Sequence, residues 1–147
     1  MRILIQRVKQ AYVVMSGKQV SAITKGLLLF VGMSKEDTEN DLERLAEKVL
    51  SLRIFEDEQG KMNLNIFQAQ GEILSVPQFT LYADLRKGNR PGFEEAADPK
   101  TAEGLWKKLN DRLRQSGLMV GEGVFGAHME IELVNDGPVT IWLDSRG

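Results

Sequence analysis

The chain has 147 residues, of which 42% are hydrophobic and 27% are charged, and its formal net charge is −2. This composition is typical of an ordinary globular protein, so we expect one domain over residues 1–147. The weak negative charge argues against a broad electrostatic grip on a nucleic-acid duplex, but it leaves binding to one end of an RNA open.

Cysteine usage and hydropathy indicate where such a chain would work. The absence of cysteine excludes disulfides, thiolate metal sites and a cysteine nucleophile, and it fits a reducing cytosol. The start, MRILIQRVKQ, lacks the apolar core of a signal peptide, and no apolar run is long enough to span a membrane. We therefore expect a cytoplasmic protein without a membrane segment.

The first half of the chain alternates between strand and helix patterns. Met1–Lys9 has apolar residues on both faces, which is typical of a central strand. A hairpin is predicted next, from Ala11–Met15 and Gln19–Thr24, followed by a buried strand over Gly26–Met33. An amphipathic helix capped by Thr38 is then predicted to run to about Arg53. A turn at Asp57–Gly60 and a short strand over Leu64–Phe67 follow it.

Arg7 is unusual in the first strand because it follows Ile3 and Ile5 on their face. An arginine that points inward needs partners, since a buried unpaired charge is expensive. A strand-end arginine whose head reaches water is an equally good interpretation of the pattern.

The stretch Gly71–Ala83 is apolar and β-branched, and Pro77 interrupts it. Proline cannot donate to a sheet ladder, so the strand must break or bulge there. Gln78, Phe79 and Thr80 then lie on a kinked backbone, where free N–H groups can point at a ligand, as in an oxyanion hole. An ordinary edge strand is the alternative.

The second half begins with a basic loop, Arg86–Gly92, which either contacts phosphates or is simply solvated. Asp98-Pro99 predicts the start of a helix that Gly117 ends. Strands are predicted over Val120–Phe125, Ala127–Val134 and Val139–Leu143, and the only histidine, His128, is expected on a polar, solvated face. Two helices among about eight strands indicate an α/β single domain with a mixed, barrel-like sheet.

The segment Asn135–Thr140 contains a Gly137-Pro138 step between two of these strands. Its composition is that of a tight hairpin turn. Glycine leaves its carbonyl uncovered, and X-Pro is the only common place for a cis peptide. The alternative interpretation is therefore a rigid pair of main-chain carbonyls that measures the room beside a ligand.

Standard catalytic and binding motifs are absent from the sequence. There is no GxxxxGK[ST] loop, GxGxxG, HExxH or Cys/His cluster. A metal site made of carboxylates alone is the remaining alternative, but no tight acidic motif marks one, so we expect neither a metal nor a cofactor. With a single histidine on a polar face, a Ser-His-Asp or Thr-His relay is not expected either. What remains can position and polarise an ester without an evident general base, so Thr80 would be a poorly activated nucleophile.

The sequence resembles the D-aminoacyl-tRNA deacylases of the bacterial and eukaryotic type over its full length. Five short matches in the same order carry this resemblance: Gln6-Arg7-Val8, Gln78-Phe79-Thr80-Leu81-Tyr82, Arg90-Pro91-Gly92, Phe125-Gly126-Ala127 before Met129, and Asn135-Asp136-Gly137-Pro138-Val139-Thr140.

The resemblance implies a homodimeric enzyme that hydrolyses the ester between a D-amino acid, or glycine mischarged on tRNA-Ala, and the terminal adenosine of tRNA. It implies that Gly137-Pro138 is cis, enters the partner's active site and excludes L side chains sterically, with Arg7 supporting the loop. It also implies that Gln78, Phe79 and Thr80 form the catalytic segment, with the Phe79 N–H at the oxyanion and the adenosine 2′-hydroxyl replacing a protein nucleophile. Phe125 and Met129 would line the adenosine pocket.

One departure and two competing interpretations accompany this resemblance. Pro77 stands where the family usually has serine, and the nearest serine is Ser75, so any serine contribution is in doubt. A non-catalytic tRNA- or RNA-binding module of the same fold is one alternative. A general esterase acting through Thr80 is the other.

Overall fold

The computed structural model describes residues 1–147. Its elements are, in chain order, β1 (Arg2–Met15), β2 (Lys18–Ile23), β3 (Gly26–Gly32), α1 (Glu39–Ser51), β4 (Phe55–Glu56), β5 (Met62–Leu64), β6 (Glu72–Pro77), a 3-10 turn (Phe79–Tyr82), α2 (Pro99–Gln115), β7 (Val120–Glu122) and β8 (Glu130–Asp144).

The long strand β1 organises a six-stranded mixed sheet. One edge of β1 pairs antiparallel with β3 and then with β2, and its other edge pairs antiparallel with β8. β6 joins β3 in parallel, and β7 joins β6 in parallel. β4 and β5 form a separate small hairpin.

Parallel pairing requires long crossovers, and the two helices lie in them. α1 falls between β3 and β6, and α2 falls between β6 and β7. Both helices start at caps: the Thr38 N–H donates to the Asp41 carboxylate, and the Asp98 carboxylate accepts from the Thr101 N–H at 3.1 Å. The two predicted helices are therefore confirmed with their caps.

Both helices cover the same face of the sheet. Arg112 of α2 forms ion pairs of 2.8 Å with Glu43 and Glu47 of α1. The main core fills the space between the helices and the sheet, and its largest buried side chains include Trp106, Leu109, Ile3, Ile5, Leu27, Leu29 and Ile73. A second, smaller cluster lies on the other face and includes Val8, Leu28, Leu74 and Val76.

The sheet nearly closes into a barrel. β2 and β7 lie at opposite ends of the sheet path, yet a Cβ added to Gly121 of β7 would lie only 2.5 Å from the Ser21 Oγ of β2. This confirms the expectation of one α/β domain with a mixed, barrel-like sheet and two main helices. None of the helices combines the length and the apolar character needed to cross a membrane.

Three strand predictions are corrected by the pairing. The short strand expected over Leu64–Phe67 is wrong: β5 covers Met62–Leu64, because its partner is Phe55–Glu56 across the turn at Asp57–Gly60. The strand expected over Val120–Phe125 ends at Glu122. The hairpin interpretation of Asn135–Thr140 is also wrong, since both flanking strands are parts of β8 and both pair with β1.

Candidate active site

The candidate catalytic segment lies where β6 ends. Pro77 is the last residue of β6, and the chain then turns into the 3-10 helix Phe79–Tyr82. The Gln78 N–H donates to the Val31 carbonyl at 2.8 Å, which fixes the start of the turn against β3. The break predicted at Pro77 is thus confirmed, although a helical turn replaces the expected strand over Thr80–Ala83.

The kink leaves main-chain donors available. The first N–H groups of a helical turn have no acceptor within the turn, and here these belong to Phe79 and Thr80. The Phe79 side chain is 53% exposed. The Gln78 side-chain amide donates to the Thr80 hydroxyl, so these two polar groups act as one unit beside the free N–H groups.

A cavity of about 570 Å³ opens beside this segment. Its lining is mainly apolar and combines the end of β6, the chain before and at the start of α2, and the loop before β8: Met33, Val76, Pro77, Gln78, Phe79, Phe93, Ala96, Ala97, Pro99, Ala102, Phe125, Gly126, Ala127, His128, Met129 and Ile131. Four predicted site residues therefore meet in one cavity, namely Gln78, Phe79, Phe125 and Met129. Arg7, Thr80, Gly137 and Pro138 are not among its lining residues.

Aromatic rings and a thioether shape two walls of the cavity. The Phe79 ring meets the Phe93 ring edge to face at 4.8 Å. On the other side, Phe125 lies 6.0 Å from Trp106, and the Met129 sulfur accepts the Val124 N–H at 3.3 Å. Such walls suit a flat, partly apolar group such as a nucleobase.

The Gly137-Pro138 step lies in a bulge of β8. Thr140 pairs with Gln6 and Asn135 pairs with Val8, so the residues between them project from the ladder. The peptide bond between Gly137 and Pro138 is cis, and both residues are exposed. Within the bulge, Asn135 Oδ1 accepts the Val139 N–H at 2.8 Å.

The buried side chain of Arg7 holds this bulge through a hydrogen bond to the carbonyl of Asp136. It is only 4% exposed, which decides in favour of the inward orientation over the solvent-exposed one. Its Nε donates to the Asp136 carbonyl at 2.8 Å, and its Nη1 donates to the Ile54 carbonyl at 2.7 Å. The carboxylates of Glu56 and Asp136 each lie 3.8 Å away. The charge is thus paired, and the residue before Gly137 is fixed to the core.

Comparison with known proteins identifies the family. The family model described as D-Tyr-tRNA(Tyr) deacylase matches residues 4–144. The chain belongs to the D-Tyr-tRNA(Tyr) deacylase family. Relatives named D-aminoacyl-tRNA deacylase include one from Thermotoga petrophila, 56% identical over 99% of this chain and 97% of the relative. Another, from Aquifex aeolicus, is 53% identical over 99% of each chain. The resemblance stated from the sequence, to a family of hydrolases acting on aminoacyl-tRNA, is confirmed.

Two solved structures share the fold. One, named c-Myc DNA Unwinding Element Binding Protein, is 42% identical, covers 98% of each chain and has a TM-score of 0.92. The other, described as a probable eukaryotic D-amino acid tRNA deacylase, is 17% identical, covers 97% of each chain and has a TM-score of 0.84. The second likeness shows that the deacylase fold persists at low sequence identity.

Ser75 is not part of the pocket in this deacylase family member. It is fully buried, and its hydroxyl accepts the Trp106 indole N–H at 2.8 Å. The hydroxyl therefore serves α2 packing and does not compensate for the proline at position 77.

Two lining residues were not expected from the sequence. His128 is exposed, as predicted, but it lies at the rim of the cavity because β8 begins only at Glu130 and residues 125–127 form a turn. Phe93 was not singled out, although an aromatic residue directly after the Arg90-Pro91-Gly92 match was an available signal.

The site contains few titrating groups with displaced pKa values. Beside the cavity, hydrogen bonds from the Arg86 guanidinium and main-chain N–H hold the pKa of Asp84 well below its usual range. Burial raises the pKa of Tyr82, the last residue of the 3-10 turn. No group of three or more His, Asp or Glu side chains is arranged to hold a metal ion. Polar main-chain groups and the Gln78–Thr80 pair therefore dominate the chemistry that the protein itself offers.

Proposed function

We propose that the chain hydrolyses the ester between a D-amino acid and the 3′-terminal adenosine of tRNA. The observation that carries the proposal is the convergence of Gln78, Phe79, Phe125 and Met129 on one cavity in a member of this family. The aromatic and thioether walls receive the adenine, and the ester lies over the 3-10 turn. An enzyme acting on charged tRNA works where tRNA is charged, so we place it in the cytoplasm.

The chemistry rests on main-chain polarisation. Water attacks the ester carbonyl carbon, negative charge develops on the carbonyl oxygen, and the Phe79 N–H donates to that oxygen. The bond to the ribose oxygen then breaks, and the hydroxyl of adenosine leaves with a proton. Thr80, joined to Gln78, supports this arrangement. His128, at the rim, is the only ionisable side chain of the lining. In this proposal the neighbouring 2′-hydroxyl of adenosine, and not His128, takes the proton of the attacking water and passes its own proton to the leaving ribose oxygen.

The Gly137-Pro138 bulge acts on the cavity of a second copy. Within one chain, Arg7 pairs with Leu27 and Pro77 pairs with Val31. These positions are four residues apart, which is about 13 Å along β3 at a rise of ~3.3 Å per residue. The bulge thus projects at a distance from its own pocket, and a homodimer would bring it to the partner's pocket.

The outer edge of β8 supports such an assembly. β8 pairs only with β1, so the other edge of this 15-residue strand has no partner within the chain. Long open edges are commonly covered by another chain. Exposed Trp142 and Val134, at 48% and 43%, lie along the same strand.

The D-ester is selected because the site sterically excludes the side chain of an L-amino acid. The main-chain carbonyls of Gly137 and Pro138 contact the substrate's α-amino group and leave no room for a side chain of L configuration. Glycine has no side chain to exclude, so glycyl-tRNA, including glycine mischarged on tRNA-Ala, passes the same filter. Arg7 keeps the filter in place by its bond to the Asp136 carbonyl.

A non-catalytic nucleic-acid-binding module is the second candidate. The observation favouring it is the 42% identical structure named for binding a DNA unwinding element. It predicts binding of uncharged tRNA without hydrolysis of any D-ester.

The test is paired hydrolysis of D-tyrosyl-tRNA and L-tyrosyl-tRNA by the same preparation, with oligomeric state measured by light scattering. We expect release of D-tyrosine, little release of L-tyrosine, no effect of a chelator, and a dimer. Equal turnover of the two esters would overturn the selection mechanism. Binding of tRNA without any turnover would favour the second candidate.

A further inference from the structure

We propose that the loop Asp84–Gly92, here called the basic loop, binds a backbone phosphate of the single-stranded 3′ end of the tRNA. The inference rests on the proposed function and extends it from the terminal adenosine to the nucleotides before it. Three features of the loop carry it: its closure, its two unpaired cations, and its direct continuation into the pocket wall.

The loop is closed at its base by main-chain bonds. The Asp84 N–H donates to the Gly92 carbonyl at 2.8 Å, and the Gly92 N–H donates to the Asp84 carbonyl at 2.9 Å. Between them the chain is exposed, so the loop projects into solvent. The loop is therefore fixed at its base, and the side chains between its ends are exposed.

The three cations of the loop are not equivalent. Arg86 is held by Asp84 through bonds of 2.9 and 2.7 Å, so its charge is already compensated. Lys87 and Arg90 form no ion pair and no side-chain hydrogen bond. Together with Asp84, Gly92 and Glu94 they line a cavity of about 130 Å³.

Counting charges around that cavity gives a net positive site. Asp84 is neutralised by Arg86, and the remaining lining groups are two cations and the single carboxylate of Glu94. The chain as a whole has a formal net charge of −2, so this surface is positive against a weakly negative background. Lysine and arginine on exposed loops are the usual partners of backbone phosphates.

The basic loop leads straight into the nucleoside pocket. Phe93 follows Gly92 and packs edge to face on Phe79 at 4.8 Å, and both rings line the 570 Å³ cavity. Arg90 is three residues from Phe93, a span of at most about 10 Å. About three stacked nucleotides cover the same distance at ~3.4 Å each. With adenosine in the pocket, the loop therefore lies beside phosphates of the last few nucleotides.

The decisive experiment compares two substrates that differ in having phosphates. D-Tyrosyl-tRNA has them, and the D-tyrosyl ester of free adenosine has none. Lys87→Ala, Arg90→Ala and the double variant are measured on both, with Lys48→Ala, an exposed lysine on α1, as the matched control. We expect the double variant to lose activity on the tRNA ester through a higher KM and to hydrolyse the adenosine ester normally.

Salt dependence provides an independent measurement. Each phosphate contact on a single strand contributes about 0.7 to the slope of log affinity against log salt. Raising salt from about 50 to 200 mM should therefore weaken the wild type about 2.6-fold more than the double variant if the two cations share one phosphate, and about sevenfold more if each contacts its own phosphate. The Lys48→Ala control should keep the wild-type slope.

The outcomes separate this inference from the proposed function. Equal loss on both substrates, or no loss on the tRNA ester, would overturn phosphate binding by the loop while leaving the deacylase proposal intact. If the wild type hydrolyses neither ester, the deacylase proposal fails. Binding of uncharged tRNA to the wild type and the double variant then decides the loop's role, and equal affinities would overturn it.

Discussion

Replacing Arg7 by lysine tests whether a guanidinium holds the Gly137-Pro138 bulge. In the native protein the Arg7 fork bonds two carbonyls in different directions, that of Asp136 at 2.8 Å and that of Ile54 at 2.7 Å. A lysine ammonium is a single point on a flexible stem and cannot reproduce this spacing. We expect one of the two bonds to be lost in a buried position.

The magnitude follows from those contacts. A hydrogen bond from a charged donor contributes about 1.5–3 kcal/mol. For a domain of this size each kcal/mol corresponds to about 2–4 °C, so the Tm should fall by about 3–12 °C. If the bond to the Asp136 carbonyl is the one lost, the bulge shifts, and a displacement of about 1 Å reduces kcat/KM for the D-ester by up to ~100-fold.

The assay is thermal unfolding together with kcat/KM on D- and L-tyrosyl-tRNA. Arg53→Lys is the matched control, because Arg53 is exposed and donates to the Asn63 carbonyl at 2.9 Å. Exposed substitutions of this kind usually change stability by less than about 0.5 kcal/mol. If Arg7→Lys left both the Tm and the D/L ratio at their wild-type values, the anchoring role of the guanidinium would be refuted.

Four further substitutions test the site. Gly137→Ala should cost about 1–3 kcal/mol of stability, because the residue has a φ of 143° and the added Cβ would lie 2.9 Å from the Val139 nitrogen. D-ester hydrolysis should fall in this variant but not in the control Gly60→Ala, where a Cβ meets no atom within 4 Å. Full activity of Gly137→Ala would contradict the proposed filter. Thr80→Ala should lower kcat about tenfold, the value of one hydrogen bond, in a single-turnover assay; complete loss would instead favour a threonine nucleophile. His128→Asn should leave kcat and the shape of the pH–rate profile unchanged, because His128 has no part in the proposed mechanism. A fall in kcat of about 10²–10⁴-fold would instead show that the histidine is a general acid or base. Pro77→Ser should lower the unfolding free energy by about 0.4–1 kcal/mol through the unfolded chain, with kcat unchanged, because the Gln78 bond to Val31 still positions the turn.

Elements defined by local signals were predictable from the sequence. The helix from Thr38 was marked by its cap and by apolar spacing, and the second helix by Asp98-Pro99. The hairpin between β1 and β2 was marked by its turn residues, and Ser16 and Gly17 both have positive φ, at 49° and 76°. In each case the deciding contacts lie within a few residues of one another.

Elements defined by distant partners were not predictable in the same way. The turn composition of Asn135–Thr140 favoured a hairpin, but the partner of both flanking strands is β1, more than a hundred residues earlier. β5 covers Met62–Leu64 and not the predicted Leu64–Phe67 for the same reason, because pairing with Phe55–Glu56, and not apolar content, determines which residues form the strand. Turn residues show where a strand is interrupted. Only the distant pairing partner determines whether the chain then resumes pairing with the same strand or forms a hairpin.

The candidate site shows the same division. Pro77 alone indicated where the strand would break, so the position of Gln78, Phe79 and Thr80 followed from one residue. That Phe93 and His128 would share the cavity depends on how the chain before α2 and the loop before β8 meet. No periodicity connects these segments, so the pocket wall could be found only from the fold.

Strand register links the two halves of the proposed site. Arg7 must lie on the helix-covered face of β1 to reach the Asp136 and Ile54 carbonyls, and a shift of one residue would turn it to the opposite face. β1 pairs with β3, and Val31 of β3 pairs with Pro77 of β6, so strand pairing also determines where Pro77 and the turn after it lie along the sheet. Backbone pairing in the core therefore fixes the proposed filter and the proposed oxyanion donor within each chain, and the proposed dimer brings the filter of one chain to the donor of its partner. A filter built on main-chain carbonyls needs this, because it discriminates by position alone and has no flexible side chain to compensate for an error.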